Sequence, residues 1–278
     1  MSYKNFIPKI WSKAINRELE RALVFAEDCN RQYEGDVKQM GDTVKILGVG
    51  KPTITKQVGG PIVLDNPETV EDTSVEMVIN HIAYFNYMVD DIDRRQAVGG
   101  LMDALSKESS EGVANAMDED VAALAGSADA PKLYKSTQSL TVENVLDAFD
   151  LAVEKLMEND VKPETKIVAT VSPWVKTLLR KAYVQLDTDN SEMIKNGYVG
   201  RYNNLYVKMS NNVLRNSEGG SDIMIRTQRA CAFANPMTHV EPYRPEKRFS
   251  DAVKGFVLYG TKIVRPKELI VLNVKKGA

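Results

Sequence analysis

The chain has 278 residues, 43% of them apolar, enough to fill one large core or two modest ones, so disorder as its overall state is excluded. Against 36 Lys and Arg stand 38 Asp and Glu, and a formal net charge of −2 gives no global pull toward nucleic acid, membrane surfaces or acidic substrates. Two cysteines, Cys29 and Cys231, and two histidines, His81 and His239, are too few for a structural zinc site or a disulfide scaffold, and no apolar run approaches the roughly 18 to 20 residues of a membrane span.

Met1 to Lys13 lacks an apolar signal core with a cleavage site, so synthesis and folding in the cytosol are expected. Pro8 suits a first helical turn, and Trp11, Ile15, Leu19, Ala22 and Ala26 recur at helical spacing, which predicts an amphipathic helix over about 8–31. Thr43 to Leu47 reads as a strand. Residues 48–74 hold Gly48, Gly50, Pro52, Gly59, Gly60, Pro61 and Pro67, short β-favouring pieces such as Ile62-Val63-Leu64, and no aromatic residue. A two-stranded excursion so poor in large apolar groups makes no core of its own and needs support from elsewhere.

Val75, Met77 and Ile79 alternate with polar residues, and Ile82 to Val89 reads as apolar or aromatic on both faces, predicting a long strand entering the core. Asp90-Asp91-Ile92-Asp93 ends it and supplies acids to the first turn of a long helix over 93–125, with Gly99-Gly100 as a place to kink. Thr141 is expected to cap a helix through Val145, Leu146, Phe149, Ala152, Leu156 and Met157, followed by a strand over 166–171. Ser172-Pro173 opens another helix to about Tyr183, and residues 187–204 read as a polar surface loop. Strands are expected at Leu205–Met209, Asp222–Arg226, Thr238–Tyr243, Gly255–Val264 and Leu269–Val274, giving an α+β fold without regular βαβ alternation or internal repeat. Charge is uneven along this order: residues 1–60 sum to +3, 61–130 to −12 and 131–278 to +7, which fits either a solvated face or complementarity between copies of one protein.

Catalytic motifs fail on inspection. Gly48-Val49-Gly50-Lys51-Pro52-Thr53 resembles a phosphate loop, but Lys45 stands where the first glycine belongs and Pro52 where a hydroxyl belongs. Asp90, Asp91 and Asp93 lack calcium-loop spacing and fit an acidic helix start better. His81 reads as a satisfied half-buried residue, Cys29 and Cys231 as small packing residues, and Trp11 and Trp174 as helix anchors, with Trp11 also suited to a partner surface. No nucleophile elbow is present, so no enzyme, metal or cofactor is expected.

Taken in order, these pieces resemble the major capsid (coat) protein family of tailed bacteriophages. The resemblance rests on Gly41-Asp42-Thr43-Val44 leading into the hairpin, Asp90-Asp91-Ile92-Asp93-Arg94-Arg95-Gln96 leading into the helix, and Val171-Ser172-Pro173 opening the next helix. Glu241-Pro242-Tyr243-Arg244-Pro245-Glu246 and the run from Phe249-Ser250-Asp251 to Tyr259-Gly260-Thr261-Lys262 complete it. It implies an N-terminal arm over 1–42, an extended loop over 43–80 that lies on a neighbouring subunit, a spine helix over 93–125 within a peripheral domain of residues 81–138 and 228–278, and an axial domain over 139–227. The function implied is self-assembly of pentamers and hexamers into an icosahedral shell around double-stranded DNA in the bacterial host cytoplasm, with portal and head-completion proteins as partners. An early first helix implies a separate scaffolding protein or an already processed chain. Subunit contacts would fall on Trp11, Lys51, Lys56, Gly59 and Gly60, and around the capsomer axis on Asp187, Asn190, Tyr198 and Arg201. Certain relatives cross-link a loop lysine to an asparagine, but nothing identifies an acceptor for Lys51 or Lys56 here.

Two other readings stay open. One is a bacterial nanocompartment shell of encapsulin type, whose early helix would cover cargo; the other is a metal-dependent hydrolase using Asp90, Asp91, Asp93 and His81. Residues 48–74 part them, since an enzyme has little use for a coreless projecting hairpin and a shell requires one.

Overall fold

Long β-branched and aromatic runs build the first sheet. A computed structural model describes residues 23–33, 41–49, 56, 59, 72–90, 101–185, 201–202, 205–246 and 250–277. Strands β1 (Thr43–Val49) and β2 (Asp72–Val78) pair antiparallel, while β3 (His81–Asp90), β9 (Cys231–Tyr243) and β10 (Ser250–Ile263) form an antiparallel sheet in the order β3-β10-β9. Register sets Phe85 opposite Gly255 and Tyr84 opposite Phe256, so alternate residues of β3 face opposite sides. One side takes helix α1 (Leu101–Ala123), whose Val113, Ala114, Met117, Val121 and Ala122 recur at helical spacing and are buried with Phe233, Val257 and Tyr259.

The second sheet has six strands in the order β4-β11-β8-β5-β7-β6: β4 (Gln138–Leu140), β11 (Leu269–Lys276), β8 (Ser221–Thr227), β5 (Ile167–Val171), β7 (Leu205–Met209) and β6 (Arg201–Tyr202). Every residue of β5 and β8 is buried, the pattern of strands covered on both faces. Helices α2 (Val145–Glu158) and α3 (Pro173–Gln185) cover one face, with Phe149, Leu156, Val175 and Leu179 packed on Ile167, Ile225 and Leu272. From the opposite face Met224, Leu269 and Val271 enter the α1 core, so this sheet separates two cores and belongs to both.

The boundaries predicted for β7 coincide with those observed, and those of β5, α2 and α3 agree within about two residues except for the start of α2. Asn144, not Thr141, precedes that helix: the Asn144 Oδ1 accepts the Thr141 N–H at 2.7 Å, closing a turn before the helix begins. The helix predicted over 93–125 is described from Leu101, and runs through Ala123 into a 3-10 turn at Leu124–Gly126. Other differences are larger. Of the helix predicted over 8–31, residues 8–22 lie outside the described residues, and 23–30 form a strap with a 3-10 turn at Ala26–Asp28 and a bridge from Asn30 to Ala232. Its backbone groups are claimed by distant side chains, which outcompete a local helical ladder.

The stretch read as one long strand is two, broken at Ile79-Asn80, and only one face of β3 enters the core. At its base, outside residues 48–74, the hairpin is rooted in a core, as the strand read from Val75 onward implies. Val44, Ile46, Met77 and Ile79 are buried against Ala232, Ala234 and Leu258. Gly260 permits this approach: a Cβ there would lie 2.7 Å from the Val78 carbonyl oxygen and 3.2 Å from the Ile79 Cα, at a register shift in the β9–β10 pairing.

Candidate assembly interface

The face of β3 turned away from α1 is open. Tyr84 is 80% exposed, Ile82 44% and Met88 47%, with half-buried Phe256 beside them on β10. β3 is also a sheet edge, hydrogen-bonded to β10 alone among the described residues. Toward β9 the same face turns polar: Lys254 lies 3.2 Å from Glu241 and 5.2 Å over the Tyr243 ring, and the Tyr243 hydroxyl donates to Asn86 at 3.0 Å. A long apolar edge strand with a polar border has the composition of a protein contact surface.

The strap is tied to the body by two buried charges on the α1 side of the core. The Asp118 carboxylate accepts three consecutive backbone N–H groups, from Val24 at 2.7 Å and from Phe25 and Ala26 at 3.0 Å each. Burial pushes the Asp118 carboxyl above its ordinary range, against those three bonds and the nearby Arg226, which favour its charge. Arg226, 1% exposed, donates to the carbonyl oxygens of Phe25 at 2.6 Å and Asp28 at 3.0 Å and to the Cys29 Sγ at 3.0 Å. Burial opposes the Arg226 charge, and Cys29, Cys231 and Asp28 beside it more than offset that, holding the guanidinium above its usual range. On the outer side Asp28 bonds Lys166 at 3.0 Å and Lys208 at 2.5 Å, while Lys208 also reaches Glu27 at 2.6 Å.

Both thiols are fully buried, and burial raises Cys29 and pushes Cys231 up to about 12. Neither is expected to react with a disulfide reagent at pH 8 in the folded protein, and both are expected to react after denaturation, which thiol titration with and without urea measures. Because an unfolded thiol ionises near 9.0 and the folded Cys231 only near 12, this group's contribution to stability falls as pH rises through that window.

The residues singled out from sequence are scattered. Lys56 and Gly59 are exposed, and Arg201 opens β6, which among the described residues is the edge strand of the second sheet. Trp11, Lys51, Gly60, Asp187, Asn190 and Tyr198 lie outside the described residues. Trp174 is half-buried and its indole donates to the Ser221 hydroxyl at 3.2 Å, as befits a helix anchor. The hydrolase cluster is not assembled: His81 and Asp90 occupy opposite ends of β3, about 30 Å apart at roughly 3.3 Å per residue. His81 instead sets its Nδ1 3.0 Å from the Asp120 Oδ2, which also accepts the Tyr259 hydroxyl at 2.5 Å. Asp91 and Asp93 lie outside the described residues, among which no group of three or more His, Cys, Asp and Glu side chains is placed to hold a metal. Asp118 and Arg226 were missed, although an acid on the buried stripe of α1 and an arginine ending Ile223-Met224-Ile225 were signals that a partner had to exist.

A helix-backed three-stranded sheet, a mixed sheet with its own helices, and a hairpin rooted on the three-stranded sheet at β9 and β10 define the fold of a capsid subunit. Known structures share it. A chain of Mycobacterium phage Che8 is 27% identical with a TM-score of 0.71, over 90% of this chain and 91% of that one. The capsid of Ralstonia phage GP4 follows at 14% identity and a TM-score of 0.65, over 93% and 91%. A virus-like particle from Pyrococcus furiosus matches at 10% identity and a TM-score of 0.61, over 95% and 98%. No protein-family model and no curated protein matches the sequence. The resemblance to tailed-phage major capsid proteins is thus borne out in the fold, over some nine tenths of the chain. Among the described residues no helix is long and apolar enough to cross a membrane.

Proposed function

We propose that this chain is the major capsid protein of a tailed phage, a structural rather than catalytic protein that self-assembles into pentamers and hexamers of an icosahedral head around double-stranded DNA. The observation that carries the reading is the fold, shared along nearly the full chain with phage capsids. In this reading α1 is the spine helix and with the first sheet belongs to the peripheral domain, β5 to β8 with α2 and α3 belong to the axial domain over 139–227, and the β1–β2 hairpin roots the extended loop; β11, within the peripheral segment 228–278, pairs with β8 and joins the two domains. The open face of β3 supports it, since Ile82, Tyr84 and Met88 are a surface that a neighbouring subunit would bury. Lys56 and Gly59, exposed beyond the hairpin base, and Arg201 at the opposite sheet edge are where contacts would form. Assembly would take place in the host cytoplasm with a scaffolding protein, and the shell would later join portal and head-completion proteins. A nanocompartment shell is not better supported, because the likeness to the Pyrococcus furiosus particle reaches 10% identity.

Expressed alone at high concentration, the protein is expected to sediment as rings or closed particles that negative-stain microscopy resolves as capsomers or shells. A monodisperse monomer, with or without crowding agents and at any salt concentration, would overturn the reading. Closed particles that load a protein cargo and exclude DNA would favour the nanocompartment.

A further inference from the structure

Two thiols from distant parts of the chain meet where the strap crosses β9. Asn30 bridges Ala232 in parallel register: the Asn30 N–H donates to the Cys231 carbonyl oxygen at 2.8 Å, and the Phe233 N–H donates to the Asn30 carbonyl oxygen at 3.0 Å. Cys29 and Cys231 each stand one residue before the bridged pair, so they lie opposite each other on the two strands and turn to the same side. Cys29 is itself extended, with φ −99° and ψ 162°, so the register holds through it. Arg226 marks the shared direction: its guanidinium donates to the Cys29 Sγ at 3.0 Å and also hydrogen-bonds the Cys231 side chain. Neighbouring strands lie about 4.8 Å apart, within the roughly 4.4–6.8 Å between Cα atoms that a disulfide spans. The chain has no third cysteine to compete.

We propose that Cys29 and Cys231 are a redox clamp: a disulfide between them fixes the strap to β9, and its reduction leaves the strap held by Asp118, Arg226 and packing. The oxidant is a low-molecular-weight disulfide such as glutathione disulfide. Before the strap docks, or while it is lifted, one protein thiolate attacks a sulfur of glutathione disulfide and releases the first glutathione thiolate. As the strap settles, the second protein thiolate attacks the protein sulfur of the mixed disulfide, which forms the bond between Cys29 and Cys231 and expels the second glutathione. The two protons of the protein thiols pass to the two departing thiolates, so two thiols are oxidised and one disulfide is reduced. In the docked strap both sulfurs are fully buried, and a reductant reaches the bond only when the strap opens. A compartment poised by reduced glutathione keeps the pair as thiols, and an oxidising one closes the clamp. The clamp is read on a single chain, so it stands apart from the shell reading.

The test is refolding of the reduced, urea-denatured full chain into glutathione redox buffers of graded ratio, with the same buffers in full urea as the reference. After acid quenching and denaturation, protein from native buffer is expected to show no titratable thiol and a mass lower by about 2 Da. Without reductant it is expected to migrate faster on a denaturing gel, because the bond closes a loop on the order of 200 residues. The native structure is expected to favour the disulfide at least about 100-fold over the urea-denatured chain, since a bond that stabilises the fold is stabilised by it to the same degree. Reduction is then expected to lower the melting temperature by about 5–10 °C. Cys29→Ser and Cys231→Ser are each expected to lose the fast band; if either fails to fold, the wild-type ratio decides alone. Should refolding aggregate, the folded chain in urea just below its transition is equilibrated with the same buffers instead. Two free thiols in native buffer at a ratio that oxidises them in urea, a preference no greater than that of the unfolded chain, or disulfides between chains in place of the fast band would overturn the proposal.

Discussion

Replacing Asp118 with alanine is expected to lower the unfolding free energy by about 3–5 kcal/mol, the scale for removing one partner from a buried charged network. The substitution strips Val24, Phe25 and Ala26 of the acceptor for their N–H groups and removes a negative charge near Arg226. Peeling the strap away gives little relief, because Leu23, Phe25, Ala26 and Cys29 are all buried in the α1 core and would be exposed together. Asp118→Asn is expected to cost less, since burial already disfavours the charge and a neutral carbonyl oxygen still accepts one or two of the bonds. Urea denaturation followed by circular dichroism gives the difference, and amide exchange at Val24 to Ala26 locates it. A loss below about 1 kcal/mol in the alanine variant would mean that water substitutes for the carboxylate and that the strap is held by Arg226 and packing.

Excision of Pro52 to Glu71 in favour of a Gly-Asn-Gly turn is expected to abolish assembly while leaving the fold intact. The β1–β2 ladder from Thr43↔Val78 to Val49↔Asp72 is kept whole, and its anchor of Val44, Ile46, Met77 and Ile79 on β9 and β10 is untouched. Gly50 and Lys51 with the new turn make a five-residue loop, a common hairpin length, so the stability change should stay near the few tenths of a kcal/mol typical of surface trimming. Under the proposed function shell formation is another matter, since weak contacts repeated around every ring would act through multivalency, and each subunit would lose the one that this segment is proposed to make. Sedimentation should show monomers or small rings with unchanged circular dichroism. Normal shells from the shortened chain would show that this segment is no clasp between subunits, and an unfolded product would place it in the core.

What the sequence revealed and what it hid follow from the range of the forces involved. β7 and the opening of α3 at Ser172-Pro173 were legible because local patterning and proline stereochemistry decide them. The strap was not: Ala22 and Ala26 repeat as a helix would, yet its bonds come from Asp118 and Arg226, some 90 and 200 residues away. The exposed face of β3 was misread for a related reason. Ile82, Tyr84 and Met88 look like core residues, and only the position of β3 at a sheet edge with α1 on the other side leaves them outside. Of the candidate contacts, which rest on the family resemblance rather than on a motif or on composition, Lys56 and Gly59 are exposed and Arg201 stands on a short strand of the second sheet.

The sheet shared by two cores also constrains how the chain can change over time. β8 sends Ile223 and Ile225 to one side and Met224 to the other; β11 divides Ile270 and Leu272 from Leu269 and Val271 in the same way. Gaining or losing one residue in either strand would exchange the two sets and strand each in a cavity shaped for the other. Length variation among descendants of this sequence is therefore confined to the turns, such as Asn216–Gly219 before β8, while β8 and β11 can drift in side-chain identity but not in residue count.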